Sequence, residues 1–134
     1  MAAPLEIIEP CGFPLSDRLV RRAALDYAAH ADIVRHDSWE RFRAADARRE
    51  GRLILFTTRA TTRFVDFAFA PGDTLLFGRE SAGAPETVHA AADARLAIPM
   101  AAAARSLNVV AAAAMALGEA LRQTSAFPAM AKAV

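Results

Sequence analysis

The sequence is short of the residues that form disulfides or bind metals. Cys11 is its only cysteine, which excludes a disulfide within the chain and is typical of a reducing compartment. The spacing of the three histidines, His30, His36 and His89, does not match that of a metal site. The first nine residues also lack the basic and long apolar segments of a secretory leader. We therefore expect a cytoplasmic protein that uses no metal.

Neither one sign of charge nor long apolar segments dominate the chain. Its 16 basic and 15 acidic residues give a net charge of +1, so any surface that binds a polyanion must be a local patch. Lys132 is the only lysine, and arginine suits bidentate contacts to phosphate, although a GC-rich genome produces the same bias. The apolar run over residues 109–117 is too short to cross a bilayer, so we expect no membrane association.

The chain does contain enough apolar residues to build a core. It has 134 residues, of which 54% are hydrophobic, and this length is typical of one domain over residues 1–134. Short apolar runs alternate with helical patterns along the sequence. The runs that predict strands are Leu5–Ile8 and residues 33–34, 52–58, 74–78 and 95–100. Because these runs are continuously apolar, they favour an α/β fold with a mostly parallel sheet and helices on both faces.

Capping and helix-ending residues predict where the helices lie. Ser16 and Ser38 can cap the first two helices, and Gly51 is expected to end the second. Trp39 and Phe42 lie at helical spacing in that second helix and are predicted to face the core. The remaining helices are predicted over residues 85–92 and 106–123.

Three strands are followed by segments with the chemistry of a ligand site. These segments are FTTRATT (56–62), FGRESAG (77–83) and IPMAAAARSLN (98–108). In parallel sheets, ligands bind outside the carboxyl ends of the strands, where these segments would meet. Gly78 and Gly83 would let a ligand approach the backbone, and Ser106 and Asn108 lie where a helix begins with free backbone donors. Such a pocket suits a neutral or zwitterionic cofactor with an adenine and a ribose better than a triphosphate.

The last two segments resemble a known pair of motifs. FGRESAGAP (77–85) is similar to the second signature of the SPOUT RNA 2′-O-methyltransferases, F-G-x-E-x-x-G-x-P. The segment over residues 98–108 is similar to the third, in which I-P-M is joined to S-L-N by a short loop. Three further segments most resemble the small enzymes of this superfamily that methylate the wobble ribose of tRNA at cytidine or uridine; they are IIEPCGFPLSD (7–17), RRAALDY (21–27) and GEALRQ (118–123). The resemblance extends over residues 5–127.

This resemblance implies a fold, a cofactor and a set of site residues. The fold has a deep trefoil knot in its C-terminal part, and the cofactor is S-adenosylmethionine. The enzyme is a homodimer in which the partner chain completes each site. Glu80 matches the glutamate of the second motif, which holds the knot loops by hydrogen bonds. The residues that match or adjoin the cofactor site are Phe56, Thr57, Gly78, Glu80, Ile98, Met100, Ser106, Leu107 and Asn108.

One part of the family pattern is expected to be missing. Family members open with a strand and an N-x-G-x-x-x-R motif before the strand that corresponds to Leu5–Ile8. The missing βα unit would carry the arginine thought to activate the ribose hydroxyl, a poor nucleophile that needs a positioned base. The catalytic residue is therefore unassigned, with Asn108 and Arg105 as candidates. The alternative to an enzyme is a catalytically impaired dimer of the same fold that binds cofactor or RNA.

Several other residues allow more than one interpretation. Arg18, Arg21 and Arg22 share one face of the first predicted helix and could bind tRNA phosphates or form an ordinary solvated face. Arg105 could contact the cofactor carboxylate, RNA or a second subunit, or form only a salt bridge. The apolar stretch over residues 109–118 favours contact between two subunits over plain core.

Overall fold

Two groups of parallel strands form along the chain. A computed structural model describes residues 3–10, 33–45, 50–79, 82–101 and 108–130. The chain divides into two units, Met1–Arg48 and Arg49–Val134. The first unit holds a two-stranded sheet and the second a three-stranded sheet, and each ladder between these strands is parallel. The predicted α/β class with parallel strands is thereby confirmed, while the single-domain organisation stays a prediction.

The first unit contains strands β1 (Leu5–Ile8) and β2 (Ile33–His36), which pair along their whole length. β1 has the predicted bounds, whereas β2 continues two residues beyond the predicted residues 33–34. Where β2 ends, His36 Nε2 lies 3.0 Å from Glu6 Oε2, and both side chains are largely buried. Pairing with β1 thus extends β2 through polar residues that the local sequence does not mark as a strand.

Helix α1 (Trp39–Ala44) begins where the sequence predicts. The Ser38 side chain accepts a hydrogen bond from the Arg41 backbone N–H at 3.1 Å, which confirms the predicted N-cap. Phe42 is 1% exposed, and the half-buried Trp39 ring stacks on it at a centroid distance of 5.3 Å. Phe42 therefore forms the buried side of the helix as predicted, with Trp39 packed against it.

The prediction that Gly51 ends this helix is wrong. The helix already ends at Ala44, because Ala45 adopts an extended backbone conformation. Gly51 instead lies where the chain passes close to Gly72, and a Cβ atom at position 51 would lie 2.1 Å from the Gly72 carbonyl oxygen. Glycine is needed here because two backbone segments approach each other, not because a helix stops.

The second unit contains β3 (Leu53–Phe56), β4 (Thr74–Phe77) and β5 (Ala94–Leu96), with β3 in the centre. All four residues of β3 are buried, as expected of a central strand that is covered on both faces. β5 is shorter than its predicted run over residues 95–100. It begins one residue earlier, at Ala94, and ends at Leu96, because β3 ends opposite it at Phe56 and the Ala97 N–H bonds to the Thr62 carbonyl instead.

Helix α3 (Val109–Gln123) covers one face of the three-stranded sheet. Its Ala116 is fully buried in a core cluster that includes Ile54 and Phe56 of β3. The other buried members of this cluster are Phe64, Phe69 and Leu96. Phe64 opens a single 3-10 turn (Phe64–Asp66) that the sequence did not predict. Because these aromatic and aliphatic side chains leave water together, they supply much of the hydrophobic stabilisation of this unit.

The end of α3 is held in place by the Gln123 side chain. Its amide oxygen accepts a hydrogen bond from the Phe69 N–H at 2.8 Å, and its amide nitrogen donates to the Phe67 carbonyl at 2.9 Å. The same nitrogen donates to Glu119 Oε1 at 2.9 Å. One side chain thus satisfies two backbone groups of the loop over residues 67–70 and fixes that loop against the helix.

Helix α2 (Glu86–Ala91) contacts β5 on the side of the sheet away from α3. The predicted range, residues 85–92, is one residue too long at each end, because Pro85 and Ala92 have extended backbone conformations. Arg95 alternates along β5 with the residues that face α3, so its side chain points to the opposite side. There its guanidinium donates a hydrogen bond to the His89 carbonyl of α2. This contact supports the predicted arrangement of helices on both faces, which stays a prediction.

An ion pair near the end of α3 makes stability depend on pH. Hydrogen bonds from Arg122, at 2.7 and 3.0 Å, and from Gln123 lower the pKa of Glu119 from 4.5 to about 2. Because the folded-state pKa lies below the unfolded one, this stabilisation is complete above about pH 4.5 and is lost as the pH falls through about 2. We expect the melting temperature of Glu119→Gln to lie below that of the wild type near neutral pH and to approach it as the pH falls to about 2.

Asp66→Asn is the control for this pH series. Asp66 pairs with Arg63 at 2.7 Å, and both side chains are more than half exposed, whereas the Glu119 side chain is 14% exposed. Because solvent screens the more exposed pair more strongly, that pair contributes less to stability. The melting temperature of Asp66→Asn should therefore stay closer to that of the wild type than the melting temperature of Glu119→Gln does. A difference between Glu119→Gln and the wild type that stays constant from pH 7 to about 2 would contradict this assignment.

Candidate functional site

The carboxyl ends of three neighbouring strands meet at one edge of the sheet in the second unit. Phe56, the last residue of β3, lies opposite both Phe77 of β4 and Leu96 of β5. Because the strands are parallel and in register, Thr57 and Gly78 leave the sheet from the same row. Ligands of parallel sheets bind at such an edge. The structure therefore brings together the starts of all three segments that the sequence analysis singled out.

The loop after β4 folds back on itself beside Gly78. The Arg79 N–H donates to the Gly83 carbonyl at 3.3 Å, and the Gly83 N–H donates to the Arg79 carbonyl at 2.8 Å. Gly83 has a φ of 68°, which favours glycine. A Cβ atom at position 78 would lie 2.3 Å from the Ala84 nitrogen. The lack of a side chain at Gly78 thus makes room for the loop itself, and the predicted approach of a ligand to Gly78 stays a prediction.

The segment after β3 is bonded to the segment after β5. The Thr57 N–H donates to the Leu96 carbonyl at 2.9 Å, and the Ala97 N–H donates to the Thr62 carbonyl at 2.8 Å. The Ala97 carbonyl in turn accepts from the Phe64 N–H at 3.0 Å. These bonds join the first candidate segment to Leu96 and Ala97, directly before the segment over residues 98–108. Thr62 lies in a predicted candidate segment and Ala97 in a predicted strand, but the sequence contains no pattern that predicts their pairing.

The candidate side chains at this edge are mainly apolar and at least half-buried. Phe56 is 8% exposed and stacks on Phe77 at a centroid distance of 5.0 Å. Ile98 and Met100 are half-buried, and Ile98 packs against the core cluster. Thr57 adds a hydroxyl group, which accepts a hydrogen bond from a backbone N–H two residues later at 3.2 Å. The edge therefore combines apolar walls with backbone groups and one hydroxyl.

Asn108 marks the start of α3. Its side-chain oxygen accepts a hydrogen bond from the Val110 N–H at 2.8 Å, and its carbonyl accepts one from the Ala112 N–H at 2.9 Å. These bonds make Asn108 the N-cap, so the third candidate segment leads into a helix that begins at Val109, three residues after the predicted start at residue 106. Its role in cofactor binding or catalysis stays a prediction.

The remaining candidates lie outside the described residues. They are Arg18, Arg21, Arg22, Glu80, Arg105, Ser106 and Leu107. Their assignments to RNA contact, loop closure, catalysis and cofactor binding stay predictions. Among the described residues, no group of three or more histidine, cysteine, aspartate or glutamate side chains could hold a metal ion. Within the same residues, no helix has both the length and the apolar character needed to cross a membrane.

Comparison with known proteins identifies the family. Residues 2–118 match the SpoU rRNA Methylase family. The chain belongs to this family. Membership of the SpoU family confirms the resemblance to RNA 2′-O-methyltransferases that the second and third motifs predicted, over nearly the same span of the sequence.

Individual SpoU-related proteins can be aligned with most of this chain. The tRNA (cytidine(34)-2'-O)-methyltransferase of Beijerinckia indica subsp. indica is 56% identical over 120 residues, which make up 90% of this chain and 75% of that protein. A solved structure concerned with 2-OH methylation of C/U34 on tRNA has a TM-score of 0.79 at 43% identity, covering 90% of this chain and 78% of that one. An AdoMet-bound rRNA methyltransferase from Sinorhizobium meliloti has a TM-score of 0.75 at 27% identity, covering 90% of this chain and 46% of that one.

Proposed function

We propose that this chain transfers a methyl group from S-adenosylmethionine to the ribose 2′-oxygen of the wobble nucleotide of tRNA, a cytidine or uridine. The observation that carries the proposal is the 56% identity, over 90% of the chain, to a relative named tRNA (cytidine(34)-2'-O)-methyltransferase. The structural neighbour concerned with C/U34 supports the same position and both pyrimidines. With tRNA as the substrate, we place the protein in the cytoplasm.

The described part of the site fits S-adenosylmethionine. Phe77, Ile98 and Met100 form apolar, half-buried walls at the edge where the three strands end, and such walls suit an adenine ring. The Thr57 hydroxyl and the backbone of the adjoining segments offer hydrogen bonds to a ribose and an amino-acid group. When bound, this cofactor supplies an electrophilic methyl group on a positively charged sulfur. None of the described candidate side chains is a carboxylate or a thiolate that could accept the methyl group in place of the substrate.

The contribution of the chain to the reaction is chiefly positioning. Holding the ribose 2′-oxygen close to the methyl donor and in line with it converts the transfer into an effectively intramolecular step. The paired segments around Thr57 and Ala97 make this edge rigid enough to hold one reactant. The hydroxyl proton must pass to a base or to water as the new carbon–oxygen bond forms. Asn108, exposed at the start of α3, and Arg105 are our candidates for orienting that hydroxyl group.

The proposal includes the knot and the dimer that the family resemblance implies. Glu80 would hold the loops of a trefoil knot in the C-terminal part, and Ser106 and Leu107 would complete the cofactor wall. On α3, Val110 is 72% exposed and Met115 is 46% exposed, so an apolar surface faces solvent in the single chain. Burial of such a surface is favourable, and we place the contact between two copies of the chain within residues 109–118.

The tRNA itself needs a basic surface on which to dock. We assign contacts with its phosphates to the arginine group predicted on the first helix, namely Arg18, Arg21 and Arg22. The net charge of the whole chain is only +1, so docking depends on where these arginines are placed rather than on overall charge.

Transfer of a labelled methyl group from S-adenosylmethionine to a tRNA transcript tests the proposed function. A transcript with cytidine at position 34 should become labelled, and the same tRNA with 2′-deoxycytidine at that position should not. The deoxy control separates 2′-oxygen methylation from methylation of the base. Saturable cofactor binding with no transfer to any tRNA would overturn the proposal in favour of the catalytically impaired dimer.

A further inference from the structure

A polar depression lies close to the edge where the three strands end. It has a volume of about 310 Å³, and its lining residues are Arg59, Glu86, His89, Ala90 and Arg95. Arg59 follows the end of β3 by three residues. Arg95 pairs in register with Leu55, one row before the last residues of the strands. The volume lies at the lower end of the about 300–1,000 Å³ range of small-molecule sites, which suits a group the size of one nucleotide unit.

The side chains of this depression supply hydrogen-bond donors that suit phosphate oxygens. Arg59 and Arg95 contribute two guanidinium groups, the side chain best matched to phosphate geometry. His89 is only 7% exposed and lines the depression, and no hydrogen bond to its ring forms within the residues that the structure describes. A buried polar group without a partner is unfavourable, so a ligand that bonds to this ring gains affinity.

An ion pair occupies Arg59 in the free chain. Its Nη1 lies 2.5 Å from Glu86 Oε1, and the two side chains are 60% and 78% exposed. Ion pairs with this exposure contribute little to stability because water screens them and long side chains lose freedom in forming them. A phosphate can therefore displace the Glu86 carboxylate from Arg59 without a large loss.

We propose that this depression binds a backbone phosphate of the RNA substrate, with Arg59 exchanging its bond to Glu86 for a bond to the phosphate. The proposal rests on the proposed function, which supplies RNA as the ligand. The His89 ring bonds to a second phosphate oxygen, while Arg95 stays bonded to the His89 carbonyl and adds its charge. Because the depression lies near the strand ends, an anchored phosphate holds its nucleotide beside the cofactor edge. The Glu86 carboxylate competes with the ligand and so weakens binding of arbitrary anions.

Binding of an anticodon stem-loop RNA with cytidine at the wobble position tests this proposal. Fluorescence anisotropy in a salt series, with S-adenosylhomocysteine present, measures affinity without turnover. We expect Arg59→Ala to weaken binding about five- to tenfold and to reduce the slope of log K against log salt by about 1. We expect Glu86→Gln to tighten binding about two- to fivefold, because Arg59 is released from its competitor. A variant that loses its fold cannot mimic this gain.

Asp66→Asn is the matched control. It removes one negative charge from another exposed arginine–carboxylate pair, Arg63–Asp66, in the same loop, but neither residue lines the depression. Its RNA affinity should stay close to that of the wild type. Equal gains for Glu86→Gln and Asp66→Asn would show a general effect of charge and would overturn the proposal. Unchanged binding in Arg59→Ala and Glu86→Gln would overturn it as well.

Two further results separate this inference from other outcomes. An altered oligomeric state of Arg59→Ala with unchanged RNA affinity would assign the depression to a subunit contact and would also contradict the proposal. Methyl transfer by the wild type with normal RNA binding by Arg59→Ala would refute the inference alone. If the wild-type chain transfers no methyl group but Arg59→Ala still weakens RNA binding, the proposed function would be refuted and the phosphate site supported.

Discussion

Replacement of Gly78 by alanine is expected to weaken the binding of S-adenosylmethionine at least tenfold. The new Cβ atom would lie 2.3 Å from the Ala84 nitrogen and 2.5 Å from the Gly83 carbonyl carbon. Both are backbone atoms of a loop closed by two hydrogen bonds, so neither can move aside cheaply. The loop must shift, and with it one wall of the proposed cofactor site. Overpacking of this kind also lowers the free energy of unfolding by about 1–3 kcal/mol.

Calorimetric titration with the cofactor measures this effect, and urea unfolding shows how much of the variant is folded. Ala82→Ser serves as the control because it adds one heavy atom to an exposed position of the same loop. It should bind the cofactor as the wild type does. Wild-type affinity in Gly78→Ala would show that this loop forms no part of the site.

Leu55→Ala is expected to lower the free energy of unfolding by about 2–5 kcal/mol, the range seen when a buried leucine is truncated and leaves a cavity. Leu55 is 0% exposed in the central strand β3 and lies between Leu76 and Arg95 in the register. Because neighbouring strands hold β3 on both sides, the surrounding structure can collapse only partly into the space. Urea unfolding followed by circular dichroism measures the loss.

Leu5→Ala is the matched control for the core substitution. It makes the same chemical change, also in a parallel strand, but Leu5 is 55% exposed. Substitutions at exposed positions usually change the free energy of unfolding by less than about 0.5 kcal/mol. If Leu5→Ala and Leu55→Ala lowered stability equally, the assignment of β3 as the covered centre of its sheet would be contradicted.

Local patterns in the sequence were sufficient to predict most elements of the fold. The apolar run Leu5–Ile8 has the bounds of β1, and the apolar runs of the second unit contain all of β3 and β4. Ser38 and Pro85 were recognised as helix starts because the residue at a helix start affects only the first turn that follows it. These features depend on contacts within one turn or one strand, which the order of residues makes visible.

Features that depend on distant segments could not be predicted in this way. Gly51 looks like a helix stop in the sequence, yet its absent side chain makes room for Gly72, twenty-one residues away. Gln123 looks like an ordinary residue near the end of a helix, but it bonds to the backbone of Phe67 and Phe69. In both cases the contacting residue is determined by tertiary packing, and no spacing in the sequence predicts it.

In the candidate site, too, local features were predicted from the sequence and contacts between distant segments were not. The three segments that leave the strands were predicted from their composition and motifs, and the register around Phe56 brings their starts together. The bonds that join Thr57 and Thr62 to Leu96 and Ala97 could not be predicted, because they are backbone bonds that any residue could make and residue type does not reveal them. The pairing of Arg59 with Glu86 is a further contact that only the packing of α2 against the sheet creates.

The central claim is that the edge where β3, β4 and β5 end binds one S-adenosylmethionine molecule per chain. Calorimetric titration of the wild-type chain with S-adenosylmethionine, and separately with S-adenosylhomocysteine, tests it most directly. The account predicts saturable binding of both at about one site per chain, with each compound displacing the other. A chain that unfolds cooperatively, and is therefore folded, yet binds neither compound would contradict the claim.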